Sequence, residues 1–431
     1  MTITALGIDF GTSGARAIAL NAKGEILAST RRTLAQPDNP QEWAATLWEL
    51  IQEIPLKVRQ QIQRIAIDGT SATVLLCNPD GDPISPALLY NDDRAQESLK
   101  VLAGIAPANH LVLSATSSLV KLLWLWEHYP TAGGYFLHQA DWLAFLLHGQ
   151  LGISDWHNAL KLGYDPAAET YPDWFYHPIL APLQPLLPKV VAPGTVIGTP
   201  TRIAQSLGLS SECQICAGTT DSIAAFLASG AHHVGDAVTS LGSTLVLKLL
   251  SNRPVQDRAA GIYSHRLGDL WLVGGASNCG AAILGQFFTP TELEHLSRHI
   301  NPQQPTGLDY YPLLRRGERF PVNDPHLEPR LEPRPAEPHL FLQGLLESLS
   351  RIEQQGYQRL QTLGASPLQR VWTAGGGAHN PAWLAIRQQF LGVPVAISPQ
   401  TEAAYGAALL ACGSTNSLQN RQQSYPFTSG C

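Results

Sequence analysis

A chain of 431 residues is long for one core and suits two domains. With 44% hydrophobic residues, 14% charged residues, a net charge of −6 and no Lys/Arg cluster, it reads as globular, and a nucleic-acid footprint is excluded. No apolar run reaches the roughly 18–20 residues of a membrane span: Lys121 interrupts the run 119–126, and 142–147 is too short. The N-terminus lacks a basic region and Asp9 breaks its apolar stretch, so no signal peptide is expected. Cysteines at 77, 213, 216, 279, 412 and 431 form no disulfide framework and suit a reducing, cytoplasmic compartment. Cys213-Gln-Ile-Cys216 has redox or zinc spacing, but no second pair completes a zinc site, so these read as buried strand cysteines.

The first 30 residues read as three short strands, with turns at Gly11–Gly14 and Ala22-Lys23-Gly24. The first turn, Asp9-Phe10-Gly11-Thr12-Ser13-Gly14, is also what a plain hairpin shows. Its acid, hydroxyls and flanking glycines add a second possibility: backbone N–H groups presented to a phosphate, with a carboxylate near a metal. Similar units recur as IAIDGTSATVLL at 65–76 and AVTSLGSTLVLKLL at 237–250. Two such turns, near residues 10 and 242, suit a clamp on one polyphosphate. No GxxxxGK[ST] occurs, and Gly375-Gly376-Gly377 begins a GxGxxG that Asn380 leaves unfinished.

Apolar spacing predicts a helix over 43–54, strands over 64–68 and 73–77, and a turn at 78–82. Leu- and Trp-rich helices follow over 119–128 and 140–148, with Gly149 as C-cap of the second. A strand at 215–217 leads to Thr219 or Thr220, either able to cap a helix from Asp221 to about Ser229. Strands are predicted at 238–241, 245–249, 262–265 and 271–273. Residues 301–338 hold nine prolines and read as an irregular excursion anchored by Tyr310, Tyr311 and Phe320. A long amphipathic helix (340–363), a strand (371–374), a small-residue helix (401–411) and a polar tail from 414 complete the chain.

In this order the motifs resemble those of the FGGY carbohydrate kinases, members of the actin/hexokinase/Hsp70 superfamily. IDFGTSGAR resembles the family's first phosphate motif, CAGTTDSIAAF its catalytic-aspartate segment and TSLGSTLVL its second phosphate motif. GGASNCGAAI resembles its Gly/Asn segment, TAGGGAHNPAW its adenosine motif and TEAAYGAALLA its returning helix. Tyr90-x-Asp92-x-Arg94 echoes the family's Trp-x-Asp-x-Arg, with Tyr in place of Trp. Within the family the chain is most similar to compact sugar kinases of photosynthetic organisms, described as D-ribulose kinases and once as xylulokinase-like.

The resemblance implies an α/β fold of two actin-like, ribonuclease H-like domains with a cleft that closes by a hinge. The sugar-side domain would span 1–228, completed by a returning helix at about 402–413. The nucleotide-side domain would span 229–401. The chain is shorter than typical members, with the loss around 290–340, where larger members carry lid and oligomer elements. A monomer or weak homo-oligomer is expected.

The implied reaction is phosphorylation of D-ribulose by Mg²⁺-ATP, with D-xylulose as the alternative pentulose. Phosphoryl transfer asks mainly for positioning and charge stabilisation. Asp221 is the expected general base, although Asp also favours a first helical turn for stability alone. Asp9 would hold Mg²⁺ through waters and contact the sugar. Gly11, Thr12 and Ser13 would grip the terminal phosphates, as would Gly242, Ser243 and Thr244. Gly375, Gly376 and Gly377 would let purine and ribose lie on backbone, with Asn380 as a polar reader. Ser71, His157 and Asn158 are expected sugar contacts, with Asp155 and Lys161 in the same segment. The last four also fit ordinary loop or helix-surface polars. Asp92 and Arg94 read as a structural ion pair.

A sugar or nucleotide sensor with little turnover is the reading from another class, and Asp9, Thr12 and Asp221 argue against it. No GxSxG elbow occurs, because Ala15 takes the final position after Ser13. His295 and His299 lack the Glu of HExxH and read as a solvated helix face.

Overall fold

The computed structural model describes residues 3–129 and 133–413. The polar tail expected from 414 therefore lies outside the described residues. The described chain divides into two compact units, residues 3–228 completed by 402–413, and residues 229–401.

In the first unit, β1 (Thr4–Phe10) and β2 (Gly14–Leu20) form the expected hairpin, with β3 (Ile26–Thr33) antiparallel beyond β2. β4 (Ile62–Gly69) lies parallel to β1 on the other side. Strands Gln214–Cys216 and Val196–Gly198 follow, giving the order β3-β2-β1-β4 and then these two. β1 is buried along its whole length, which is what a strand covered on both faces requires. The helix Pro40–Glu53 starts at an Asn39 cap and buries Trp43, Leu47, Leu50 and Ile51. Gly149 ends the helix Gln139–His148 in a left-handed conformation (φ 75°), as expected. The second Asp-Gly-Thr-Ser unit is not a hairpin. β5 (Val74–Cys77) leaves the main sheet and pairs with β6 (Tyr135–His138), because the four residues 70–73 turn the chain out of the sheet plane instead of back along β4.

The second unit repeats the plan. Its six-stranded sheet runs Tyr263–Leu267, Leu270–Ser277, Leu245–Ser251, Asp236–Leu241, Arg370–Ala374, Val395–Ile397. As in the first unit, an antiparallel meander adjoins parallel strands. The helix Pro338–Thr362 packs under it. Its buried Glu353 holds Arg387 through two hydrogen bonds of 2.6 and 2.7 Å, and Arg387 also reaches Thr373 at 2.6 Å. A bidentate, fully satisfied pair is the arrangement in which a buried charge is tolerated.

The proline-rich segment 301–337 has no regular element, yet it is anchored as expected: Tyr310 and Phe320 are fully buried and Tyr311 is partly so. Phe320 fills a slot made by two glycines. A Cβ on Gly275 would stand 2.6 Å from its ring, and one on Gly356 2.8 Å. Among the described residues no helix is long and apolar enough to cross a membrane. Cys213 and Cys216 are buried at the strand Gln214–Cys216, and burial pushes their thiols up to about 12 and about 11, as structural cysteines require.

Candidate active site

β1 and β4 are parallel and in register, so Asp9 stands beside Asp68 at the same level of the sheet. Thr219 and Thr220 form a short strand on the far side of β4, with Thr219 opposite Asp68. The chain then enters the helix Asp221–Ala228. Three aspartates therefore meet at one end of one sheet. Thr219 and Thr220 serve as this strand and not as side-chain caps: the Thr219 hydroxyl bonds His157, and the buried Thr220 hydroxyl has no hydrogen-bond partner. The Asp221 carboxylate instead accepts from the Ser222 N–H at 2.6 Å.

Asp9 is 9% exposed and Asp68 fully buried. Burial, opposed by a hydrogen bond with Asp68 and aided by the charge of Asp221, raises the Asp9 carboxyl to about 6. Burial raises Asp68 well above the ordinary range, helped by Asp9 and Asp221. Neither Asp68 oxygen receives a protein donor. Carboxylate oxygens without donors, beside a second carboxylate, fit a hard cation such as Mg²⁺.

Without a cation, the native state retains a proton that the unfolded chain releases, so this cluster's contribution to stability falls as pH rises from 3.8 to about 6 and beyond. Asp68→Asn is therefore expected to melt at least about 2 °C above the unsubstituted protein at pH 8 in the absence of divalent ions. The gain should shrink at pH 5. Parallel melting curves at the two pH values check this, and an equal or lower melting temperature at pH 8 contradicts it.

Around this cluster the expected sugar-side residues divide. Ser71 is half-buried in the turn 70–73. Gln139 accepts from the Thr70 N–H and hydroxyl at 3.1 and 3.2 Å, which fixes the start of that turn. His157 and Asn158 are buried in scaffold. His157 Nδ1 lies 2.8 Å from the Thr219 hydroxyl, and Asn158 donates to Asp155 (2.6 Å) and to the Thr219 carbonyl (3.2 Å). These bonds tie both residues to the strand that leads into Asp221, and the buried Asn158 Oδ1 has no hydrogen-bond partner among the described residues. Asp155 itself is fully buried, and burial raises its carboxyl to about 7. Lys161 is half-buried. Asp92 and Arg94 form the expected ion pair, at 2.7 Å.

The first phosphate turn is short: the Gly11 N–H donates to the Gly14 carbonyl at 3.0 Å, leaving Thr12 and Ser13 exposed. A Cβ on Gly14 would stand 2.5 Å from the Arg32 carbonyl oxygen, so β3 fixes the residue as glycine.

In the second unit the turn Gly242-Ser243-Thr244 links strands Asp236–Leu241 and Leu245–Ser251. The Ala281 N–H donates to the Gly242 carbonyl (2.8 Å) and the Leu245 N–H to the Cys279 carbonyl (2.7 Å). A Cβ on Gly280 would meet the Ser243 carbonyl at 2.3 Å, so the Gly/Asn segment buttresses this turn by backbone contact. Gly375, with φ 86°, packs on the backbone of Leu241, the residue just before the turn. A cavity of about 600 Å³ opens beside it, lined by Gly376, Gly377, Asn380 and Trp383 on one side and by Pro290, Leu293 and Ser297 on the other. Asn380 lines this cavity, but its amide is engaged. It caps the helix Pro381–Leu391 by accepting from the Trp383 N–H (3.1 Å) and donates to Ser297 (2.8 Å). These two bonds hold the wall of the cavity.

A Cβ on Gly376 would point into open space, whereas one on Gly377 would strike Trp383 at 2.5 Å. Gly376→Val is accordingly expected to raise KM for ATP about tenfold or more by filling the cavity, with the melting temperature nearly unchanged. Initial-rate kinetics against ATP with a parallel melting curve test it, and an unchanged KM would remove the cavity from nucleotide binding.

Among the described residues, His232, His233 and Asp236 lie close enough to share a metal ion. Arg370 already pairs with Asp236 at 2.6 Å there, so a cation meets a guanidinium.

Residues 4–228 match the model of the FGGY family of carbohydrate kinases, N-terminal domain, and residues 237–414 match that of the C-terminal domain. The chain belongs to the FGGY family. Its relatives include a xylulose kinase of Streptomyces coelicolor, 28% identical over 95% of this chain and 87% of that protein. A xylulose kinase of Bacillus subtilis is 25% identical over 94% and 87%. Among solved structures, a xylulose kinase from Rhodospirillum rubrum superposes with a TM-score of 0.82 at 21% identity, covering 95% of this chain and 89% of that one. A Plasmodium falciparum glycerol kinase with ADP gives 0.81 at 16% identity, covering 97% and 92%. The expected α/β fold of two actin-like domains is thereby established.

For an FGGY member, two site residues went unnoticed in the sequence. Asp68 was visible as the acid of the second Asp-Gly-Thr-Ser unit, but only the β1–β4 register puts it beside Asp9. Gln139 carries no motif, and its role depends on β5 and β6 pairing away from the main sheet.

Proposed function

We propose that this FGGY kinase transfers the γ-phosphoryl group of ATP to a ketopentose. Asp221 acts as general base on the sugar hydroxyl. The observation that carries this reading is the convergence of Asp9, Asp68 and Asp221 at one sheet end. Only Asp221 of the three opens a helix, and it is also the least buried. A base must reach the substrate, whereas Asp9 and Asp68 lie deeper, where a cation would gather them. Asp9 and Asp68 would hold Mg²⁺, which offsets charge on the phosphate oxygens. In the first unit Thr12 and Ser13, and in the second Gly242, Ser243 and Thr244, carry N–H and hydroxyl donors of the kind that hold phosphate. The cavity at Gly376 takes the nucleoside. In this assignment 1–228 with 402–413 carries the acceptor groups and 229–401 the nucleotide groups.

The names of the curated relatives favour D-xylulose as acceptor. D-Ribulose is the second reading, supported by the likeness to compact kinases and by Tyr90, 46% exposed, standing where the family's Trp is usual. The two sugars differ at one stereocentre. Coupled ADP release with Mg²⁺-ATP against D-xylulose, D-ribulose, L-ribulose, glycerol and no sugar decides. A clear preference for either D-pentulose supports the proposal and names the acceptor. No stimulation by any of them overturns it.

A further inference from the structure

Lys121 has no part in the reading above, yet its amine is fully buried in the first unit, where burial lowers its pKa to about 7. It lies on the helix Ser118–His128, whose other buried side chains are mainly aliphatic. Among the described residues no carboxylate forms an ion pair with it. Its Nζ donates to two backbone carbonyls, of Ala72 at 2.8 Å and of Leu89 at 2.6 Å. A buried amine without a counter-ion is costly to desolvate, so apolar packing would stabilise this helix better. What its N–H donors contribute is then found in the segments that own the two carbonyls.

Both segments carry acceptor-side residues. Ala72 follows Ser71 and adopts φ 64°, a left-handed conformation that a non-glycine residue enters at a cost. Leu89 precedes Tyr90 and the Asp92–Arg94 pair. The roots of the two segments are already joined by a bridge between Val74 and Leu88, with N–H···O distances of 3.0 and 2.8 Å. Beyond that bridge, Lys121 is the direct link between them through hydrogen bonds to both. Losing it leaves the strained Ala72 turn free to relax, and Ser71 moves with it.

Building on the acceptor-site reading, we infer that Lys121 is a positioning residue for the polyol acceptor. Its Nζ clamps the Ala72 and Leu89 carbonyls and so fixes Ser71 and Tyr90 in one geometry.

The test uses the full chain and whichever sugar the unsubstituted enzyme prefers. Lys121→Met, close in shape and without donors, is expected to raise KM for the sugar about tenfold or more, while KM for ATP stays within about twofold. In the Ser71→Ala background the same substitution should add much less, because the effect passes through Ser71. Lys121→Arg, which keeps the N–H donors, should recover part of the affinity. An unchanged sugar KM, equal increases in both KM values, or a full multiplicative effect in the Ser71→Ala background overturns the clamp. If Lys121→Met does not accumulate as folded protein, Lys121→Gln, which keeps an N–H donor without a buried charge, is read by the same split in KM. An inactive unsubstituted enzyme on every sugar refutes the functional reading. An active one indifferent to Lys121 refutes only the clamp.

Discussion

Asp221→Asn is expected to lower turnover with the preferred pentulose by about 10²–10⁴-fold, the usual worth of a general base. ATP affinity should stay within about twofold. The substitution preserves size and the acceptor for the Ser222 N–H, so the helix Asp221–Ala228 keeps its start. What disappears is the basicity of the carboxylate, which the proposed mechanism uses to take the sugar proton as oxygen attacks phosphorus. Turnover by coupled ADP release and ATP affinity by calorimetry separate the two quantities. Equal loss of both would remove Asp221 from the role of base. Retention of most turnover would do the same.

The second large effect is structural and lies far from Asp221 in sequence. Gly406→Val is expected to destabilise the first unit by about 4 kcal/mol or more, which in practice means insoluble protein or a steep drop in melting temperature. The helix Ala403–Ala411 packs against β1 and against Asp221–Ala228 with backbone in contact with backbone. A Cβ at Gly406 would lie 1.7 Å from the Ala224 carbonyl oxygen, and one at Gly7 would lie 2.0 Å from the Ala404 carbonyl oxygen. No rotamer change relieves such an overlap, because no side chain is involved. The two partners of this helix are the elements that bear Asp9 and Asp221, so any separation it forces moves the two acids apart. Gly406→Ala should show a smaller shift of the same sign. A melting temperature unchanged in both variants would contradict the packing argument.

Much of this fold is legible in sequence because its signals are local. The hairpin around Gly11, the Asn39 and Asn380 caps with Pro at the next position, the Gly149 stop and the apolar spacing of Trp43, Leu47 and Leu50 each state a backbone preference within a few residues. The motif order and the family match agree for the same reason: each motif is a short backbone device.

What the fold changed or added depends on partners distant in sequence. The second strand–Asp-Gly-Thr-Ser–strand unit, at 65–76, looked like another hairpin until β5 paired with β6, some sixty residues on. His157 and Asn158 read as sugar contacts, and the fold adds their bonds to Thr219, some sixty residues on. Asn380 reads as a polar reader of the nucleoside, and the fold adds its bonds to the Trp383 N–H and to Ser297.

The sequence alone determined most element types and the glycine turns near residues 11 and 242, because turn chemistry, periodicity and capping act over a few bonds. The tertiary structure decided which polar groups stand together. Asp68 reaches Asp9 through strand register, Lys121 reaches Ala72 and Leu89 through helix packing, and the cavity at Gly376 forms where Trp383 and Ser297 meet. Each depends on non-local pairing, in which a one-residue slip would turn every side chain of a strand to the opposite face.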